Sequence, residues 1–249
     1  MKLNKNFLLQ SDNVSLIEKN AIMLLSMVDD SVVIKKSFLN ELGSFNDMFY
    51  VPVGTVEFCK KWMDINCIPI PDLGYPSSLS KFFNRKIGIK NSYNEIENGF
   101  FVKPVEIKAW EAHVKIGDSD NFPGNVYFSE YKKFIAEWRV YIKNKEIEGF
   151  ARYDDSEKEY EIDLDLIKNI IKNYDNQPVS YAIDLGLDEF GKFSIVEITD
   201  AWAIGLYKGM DPKKYGNFLL ARWNEILQTS LINGASERSR TSTPYGGRV

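Results

Sequence analysis

Four segments of the chain carry apolar residues at the three-to-four-residue spacing of a helix with one buried face. One follows Ser11, a second follows Gly54, a third covers about 165–174, and a fourth starts at Asp211 and Pro212. Aspartate before proline is a typical helix start, because the aspartate caps the first turn and proline needs no hydrogen-bond donor there. The pattern therefore predicts helices along the whole chain, separated by extended segments.

Two further segments alternate apolar and polar residues, which is typical of strands with one buried face. Residues 136–153 predict a hairpin that turns at Asn144 and Lys145, and residues 181–187 and 193–199 predict a second hairpin. One face of the first hairpin is expected in a core and carries Trp138, Val140, Ile142, Ile147 and Ala151. The opposite face is expected to carry Glu137, Arg139, Tyr141, Glu148 and Arg152.

The second hairpin brings two acidic side chains together. With an even-length loop such as 189–192, Asp184 and Glu197 point to the same face, and directly opposite residues lie about 4.5–5.5 Å apart at Cβ. Two carboxylates this close raise each other's pKa unless a positive charge lies between them. A divalent cation with oxygen ligands meets that need, so the hairpin predicts an Mg²⁺ site. The alternative is that both carboxylates simply face solvent. Alternation along a strand by itself places apolar residues on either side of each polar one, so the apolar neighbours of Asp184 and Glu197 do not exclude this.

Three prolines and one glycine fall within residues 69–76, and such a cluster of helix- and strand-breaking residues predicts a subdomain boundary. We expect an N-terminal subdomain at 1–75, a main domain at 76–232 and a tail at 233–249. The tail is rich in Gly, Ser, Thr and Arg without periodicity, so it is interpreted as disordered or foreign to the domain.

Composition narrows the class of protein. The chain is 44% hydrophobic and 27% charged, which is ordinary for a globular protein. Its 31 basic and 35 acidic residues give a net charge of −4 without a basic stripe, which disfavours nucleic acid as a partner. No stretch approaches the ~20 apolar residues of a membrane span, and residues 1–10 lack a secretory signal. Cys59 and Cys67 are interpreted as free thiols, so we expect a cytoplasmic protein.

Three strand-borne features carry the candidate chemistry: Lys103 in the sequence FVKP, Glu137 with Arg139 in AEWRVYI, and the acidic hairpin. Each alone is also typical of a solvated strand face. Their order, with a polar loop after Lys103 and an acidic segment at YFSEY, resembles the ATP-grasp family over about 75–209, most of all its small members from phages and bacteria. The resemblance implies an α+β fold in which two α+β lobes grip ATP, preceded by a small α/β N-terminal subdomain.

The resemblance also implies which residues bind the nucleotide. Lys103 matches the lysine that reaches the α- and β-phosphates, a task for a compact point charge. Arg85, with Lys86 as a substitute, falls where the first phosphate-contacting basic residue is expected, although the family more often has lysine there. Glu130 falls where the hinge strand contacts adenine or ribose.

Catalytic roles follow from the same resemblance. Arg139 and Arg152 match residues that face the γ-phosphate, where a planar guanidinium stabilises the charge that shifts during transfer. Glu137 lies beside Arg139 and is assigned to the nucleotide site as the residue that orients it.

Asp184 and Glu197 match the family's metal carboxylates, with Asp200 as the third candidate ligand. The family usually has Asn two positions after the glutamate, where this chain has Thr199. In a regular strand Asp200 points away from Glu197. We therefore expect the strand to end or bulge at Thr199 so that Asp200 turns inward, since Gly205 and its neighbours indicate that the chain leaves the sheet. The alternative is a site with only two carboxylates.

The function implied by the resemblance is an ATP- and Mg²⁺-dependent carboxylate–amine ligase, in which an acyl phosphate is attacked by an amine on an amino acid, peptide or protein. Thr199 and Arg85, which depart from the family pattern, keep open a second hypothesis: a catalytically inactive ATP-binding module that acts through partner contacts. A third is a retaining glycoside hydrolase that uses Asp184 and Glu197, because carboxyl groups about 5–5.5 Å apart suit that mechanism.

Overall fold

The computed structural model describes residues 4–12, 16–45, 47–117, 122–208 and 210–240. Within these ranges the chain forms eleven strands in three sheets, together with five α-helices and short 3₁₀ turns. One sheet is parallel and two are antiparallel, so helices and sheets are combined as the predicted α+β class requires.

The N-terminal part forms a parallel sheet. Its strands are β1 (Asn6–Gln10), β2 (Val33–Ser37) and β3 (Val51–Val53), in the order β2-β1-β3. Parallel neighbours need a crossover connection, which α1 (Ile17–Val28) supplies between β1 and β2. A second helix, α2 (Val56–Ile65), follows β3 and buries its apolar face against the sheet.

A four-stranded antiparallel sheet follows the short helix α3 (Ser80–Phe83). Its strands are β4 (Ile87–Lys90), β5 (Phe100–Pro104), β6 (His113–Val114) and β7 (Val126–Glu130), in the order β4-β7-β5-β6. Proline lacks a backbone donor, and Pro104 is the last residue of β5. We call this sheet the β4–β7 sheet.

The third sheet is antiparallel and contains β8 (Phe134–Lys143), β9 (Glu146–Arg152), β10 (Ser180–Asp188) and β11 (Phe193–Asp200). The order is β11-β10-β8-β9, and α4 (Leu164–Asn173) connects β9 to β10. Every residue of β10 is buried, because this strand has a neighbour on each side and a core on each face. We call it the β8–β11 sheet.

Both predicted hairpins are present, and the first turns at Asn144 and Lys145. Both residues have positive φ, 52° and 67°, as a two-residue turn that follows the strand twist requires. In the second hairpin β10 and β11 are antiparallel neighbours. Local alternation and turn chemistry were therefore sufficient to predict these four strands.

The face predicted for the end of the first hairpin is wrong. The register between β8 and β9 shifts by one residue, leaving Glu148 as a bulge, and a one-residue shift moves every following side chain to the other face. Arg152 therefore lies opposite Trp138, and Ala151 lies opposite Arg139. The predicted shared face of Arg139 and Arg152 does not form.

The largest core unites the N-terminal sheet with the last helix, α5 (Pro212–Arg240). Its buried members include Phe7, Leu9, Trp62, Phe218 and Trp223. This core does not break at the predicted boundary within 69–76, so the first strands and the last helix stabilise each other. The predicted division into domains stays a prediction.

A second core covers the other face of the β8–β11 sheet. There Ile183 of β10 packs with Ile170 of α4 and Phe83 of α3. The β8–β11 sheet is thus enclosed between α5 and the N-terminal unit on one face and α3 and α4 on the other. Among the residues described, none of the helices combines the length and apolarity needed to span a membrane.

The last helix is longer than its sequence pattern indicates. α5 continues to Arg240, into the segment at 233–249 that composition predicted as a tail. Residues 241–249 lie outside the described residues, and for them the prediction stands as made.

We predict that Trp223→Ala lowers the free energy of unfolding by about 3–5 kcal/mol, because it opens a cavity in the core shared by α5 and the N-terminal sheet. Urea denaturation followed by circular dichroism measures this and should show a single transition. Phe190→Ala is the control, since its side chain is 86% exposed. Two separate transitions would contradict the shared core.

Candidate functional site

A cavity of about 920 Å³ opens between the β4–β7 sheet and the β8–β11 sheet, and we call it the central cleft. Its walls come from β5 and β7, the loop at 105–112, the linker at 71–74 and residues 197–207. A volume of this size is typical of a small-molecule site. Four predicted site residues line it: Lys103, Arg139, Glu197 and Asp200.

One row of charged side chains crosses both sheets at this cleft. β10 and β11 place Asp184 directly opposite Glu197, as the hairpin pattern predicted. On its other side Asp184 lies opposite Arg139 of β8. Lys103 reaches the row from β5, with its Nζ 3.0 Å from Glu197 Oε2. We call Lys103, Glu197, Asp184 and Arg139 the charge row.

The Arg139–Asp184 pair is two-pronged and buried. Arg139 Nε lies 2.8 Å from Asp184 Oδ1, Arg139 Nη2 lies 2.6 Å from Oδ2, and Asp184 is only 2% exposed. Burial raises the pKa of Asp184 to about 6, against the opposing effect of Arg139. Burial also disfavours the charged form of Arg139, but Asp184 outweighs it and raises the Arg139 pKa. Both groups are therefore charged at neutral pH.

The Lys103–Glu197 pair is half-buried. Burial opposes the charge on each partner, but their mutual attraction raises the pKa of Lys103 and lowers the pKa of Glu197. The Tyr75 ring adds a cation–π contact 4.6 Å from Lys103 Nζ. With two cations and two carboxylates, the charge row neutralises itself.

Aromatic residues hold Arg139 in place. The Tyr207 ring centre lies 5.0 Å from Arg139 Cζ, and Tyr207 stacks on Tyr153 with ring centres 5.0 Å apart. Tyr153 donates a hydrogen bond of 2.9 Å to Glu137 Oε2. Glu137 is thus linked to Arg139 indirectly, through the stacked rings of Tyr153 and Tyr207. Sequence reasoning missed both tyrosines, because they lie far along the chain from Arg139 and no spacing links them to it.

Arg85 is bonded to the backbone of β11, and its predicted role as a phosphate-contacting residue stays a prediction. Its guanidinium donates hydrogen bonds of 2.7 Å to the carbonyls of Ile195 and Val196 in β11. Val196 is the bulged residue of that strand, where the register with β10 shifts next to Asp184. Arg85 therefore stabilises the strand irregularity beside the charge row, and it does not line the central cleft.

Lys86, Glu130 and Arg152 also lie away from the walls of the central cleft. The Glu130 carboxylate accepts a 2.9 Å hydrogen bond from the backbone N–H of Lys86. Arg152 forms a two-pronged pair with Asp154, in which Nε–Oδ2 and Nη2–Oδ1 are both 2.6 Å. The structure does not bring these three residues into the charge row, and their nucleotide-binding and catalytic roles stay predictions.

The bulge expected at Thr199 is wrong, although Asp200 does line the central cleft. The role of Asp200 as a metal ligand stays a prediction. Because the bulge lies at Val196, Asp200 remains in the strand, opposite Tyr181. Its side chain pairs with Arg222 of α5, with Nε 2.8 Å from Oδ1. Burial raises the pKa of Asp200, and Arg222 acts against that effect. Asp200 thus joins β11 to α5, a partnership between distant segments that carries no local sequence signal.

The remaining carboxylates match the two-carboxylate alternative. Thr199 shares the face of Glu197, with its Oγ1 3.4 Å from Glu197 Oε1, so a hydroxyl occupies the position of the family's asparagine. Among the described residues no group of three or more His, Cys, Asp or Glu could hold a metal. Mg²⁺ commonly uses one or two carboxylates plus phosphate oxygens, so Asp184 and Glu197 fit it as a pair when phosphates supply further ligands.

The chain belongs to the ATP-grasp family: the ATP-grasp domain, R2K clade family 2, matches residues 82–218, more than half of the chain. The predicted family and fold class are confirmed by this match. A search of curated protein sequences found no match.

Three solved structures illustrate what the chain is similar to. The ATP-grasp ligase PsnB complexed with minimal precursor shares 9% identity over 88% of this chain and 99% of that chain, with a TM-score of 0.48. The macrocyclase MdnC bound with precursor peptide MdnA from Microcystis aeruginosa MRC shares 9% over 90% and 99%, with a TM-score of 0.48. The L-amino acid ligase from Bacillus licheniformis shares 13% over 93% and 75%, with a TM-score of 0.46.

We predict that Arg222→Ala lowers the free energy of unfolding by about 3–5 kcal/mol, because Asp200 is then left buried without its cation. Asp200→Asn should also lower the melting temperature but leave Mg²⁺-dependent ADP affinity within about two-fold. Thermal denaturation and calorimetry measure the two effects. Loss of Mg²⁺ dependence in Asp200→Asn, with stability unchanged, would instead make Asp200 a metal ligand.

Proposed function

We propose that the protein is an ATP-dependent ligase of ATP-grasp type that joins a carboxylate to an amine on an amino acid, peptide or protein. The charge row at the central cleft carries this proposal, because it combines two cations of the kind that bind phosphates with two carboxylates of the kind that bind Mg²⁺ in one self-neutralised cluster. Family membership supports the use of ATP. We place the reaction in the cytoplasm, in keeping with the two free thiols.

The charge row suits a nucleotide because its members can exchange partners. The phosphates of ATP offer new anionic partners for Lys103 and Arg139, which would leave Glu197 and Asp184 free to take up Mg²⁺. When bound there, Mg²⁺ would neutralise charge on the transferred phosphoryl group. Arg139 leaves Asp184 uncovered only when it turns to the phosphates, so nucleotide and metal binding are coupled in this proposal.

The proposed reaction has two steps. A substrate carboxylate oxygen attacks the γ-phosphorus, the bond to the β–γ bridging oxygen breaks, and ADP leaves. The amine nitrogen then attacks the acyl carbon, inorganic phosphate leaves with the C–O electron pair, and the nitrogen loses one proton. Lys103 and Arg139 act in the first step by positioning and by stabilising the charge that moves to the leaving oxygen.

A specific observation also favours the second candidate, an ATP-binding module without catalysis. Thr199 stands in place of the family's asparagine, and Arg85 is engaged with backbone carbonyls of β11. This candidate predicts ATP binding without ADP formation under any mixture of acceptors. The glycoside hydrolase hypothesis has less support, because Asp184 is 2% exposed and covered by Arg139.

We predict that Lys103→Ala and Glu197→Ala each abolish Mg²⁺-dependent ADP formation in a mixture of amino acids, since each removes one member of the charge row. ADP release in a coupled assay measures this, with circular dichroism as the test of folding. Lys90→Ala is the control, because Lys90 is a half-exposed strand lysine whose partner is Glu95, away from the cleft. Full activity in either charge-row variant would overturn the proposal.

The partner exchange makes a second and less obvious prediction. Glu197→Gln should raise the affinity for ADP in the absence of metal by about ten-fold, equal to ~1.4 kcal/mol, because Lys103 no longer has a competing anion. The same variant should lose the gain in ADP affinity that Mg²⁺ gives the unaltered protein. Calorimetry with and without EDTA measures both, and unchanged metal-free affinity would contradict the exchange.

A further inference from the structure

The central cleft contains a third cation that the charge row does not use. Its lining includes three basic residues: Lys103, Lys108 and Arg139. Lys103 and Arg139 are paired with Glu197 and Asp184. In the part of the chain that the structure describes, Lys108 has neither an ion pair nor a hydrogen bond from its amino group.

Lys108 also occupies an unusual backbone position. Its φ is +61°, in the left-handed region that a residue with a Cβ adopts at a cost of about 1 kcal/mol. The turn around it is closed by a 3.1 Å hydrogen bond from the Ala109 N–H to the Glu106 carbonyl. A tight turn thus places the exposed Lys108 side chain beside the cleft. Glycine would adopt this φ without strain, but it would leave the position without a charge.

The turn is anchored to the N-terminal unit on the side that precedes Lys108. Lys60 of α2 places its Nζ 3.0 Å from Glu106 Oε1 and 3.4 Å from the Ile107 carbonyl oxygen. These contacts attach the residues before Lys108 to α2. The lining carboxylates Asp72 and Glu111 form no ion pair with Lys108 among the described contacts.

We propose that Lys108 is a further phosphate-binding residue of the central cleft and that it contacts the phosphate oxygens of the nucleotide. This inference rests on the proposed function. Lys103 and Arg139 can bind phosphate only after they release their carboxylates, whereas the Lys108 ammonium has no carboxylate partner to release among the residues that the structure describes. A compact ammonium with three donors suits a phosphate, which accepts hydrogen bonds from many directions.

The test compares two lysines with the same backbone conformation. Lys145 has φ +67° and lies in the β8–β9 turn, away from the central cleft. Asparagine tolerates the left-handed region, so Lys108→Asn and Lys145→Asn remove a charge without adding strain. We expect Lys108→Asn to weaken Mg²⁺–ADP binding about ten-fold in calorimetry, and Lys145→Asn to change it less than two-fold. Lys108→Arg should retain most of the affinity, and adenosine should bind both asparagine variants equally.

The outcomes separate the two proposals. If the unaltered protein binds ADP and the two asparagine variants bind it equally, the role of Lys108 is overturned and the proposed function stands. If adenosine affinity falls as much as ADP affinity in Lys108→Asn, the lysine contacts another part of the ligand and the inference is wrong. If the unaltered protein binds no ADP, both the proposed function and this inference fail.

Discussion

The alignment of Arg139, Asp184 and Glu197 across three neighbouring strands is the constraint on which the site depends. A buried carboxylate needs a cation, and Asp184 obtains a two-pronged one from the adjacent strand. The bulge at Val196 lets β11 keep Glu197 opposite Asp184 while the rest of the strand follows a different register. Lys103 then connects this row to the β4–β7 sheet. One ion-pair cluster thereby sets the relative position of the two sheets that enclose the cleft.

The packing of the rest of the chain supports that cluster. α5 covers the face of the β8–β11 sheet that also carries the charge row, and it shares a core with the N-terminal sheet. Asp200 and Arg222 attach the end of β11 to this helix through a buried pair. Two acidic residues of β11, three positions apart, therefore have different partners: Glu197 pairs with Lys103 of the β4–β7 sheet, and Asp200 pairs with Arg222 of α5. Their separation follows from the alternation of side chains along a strand.

Local sequence pattern was enough to predict both hairpins, because alternation and turn residues act over a few positions. The Asp184–Glu197 pairing was predicted from an even-length loop at 189–192, whereas Leu187 lies opposite Phe193 and the bulge at Val196 restores the pairing. Local pattern failed where one inserted residue changed a register: the bulge at Glu148 moved Arg152 to the other face, and the bulge at Val196 displaced the one expected at Thr199. It also could not find partners brought together only by tertiary packing, such as Arg222 for Asp200. The family resemblance supplied the order of the site residues, but it did not predict that Arg85 donates hydrogen bonds to backbone carbonyls of β11.

The hydrogen bonding of Arg85 to β11 has a mechanical consequence. The hydrogen bonds of Arg85 join the segment that leads into the β4–β7 sheet to the bulge of β11. Its neighbour Asn84 adds a 2.9 Å hydrogen bond to the carbonyl of Phe193. While these bonds persist, the two sheets cannot simply move apart along a straight line. Separation of the two sheets therefore requires either that these bonds break or that the sheets turn about Asn84 and Arg85.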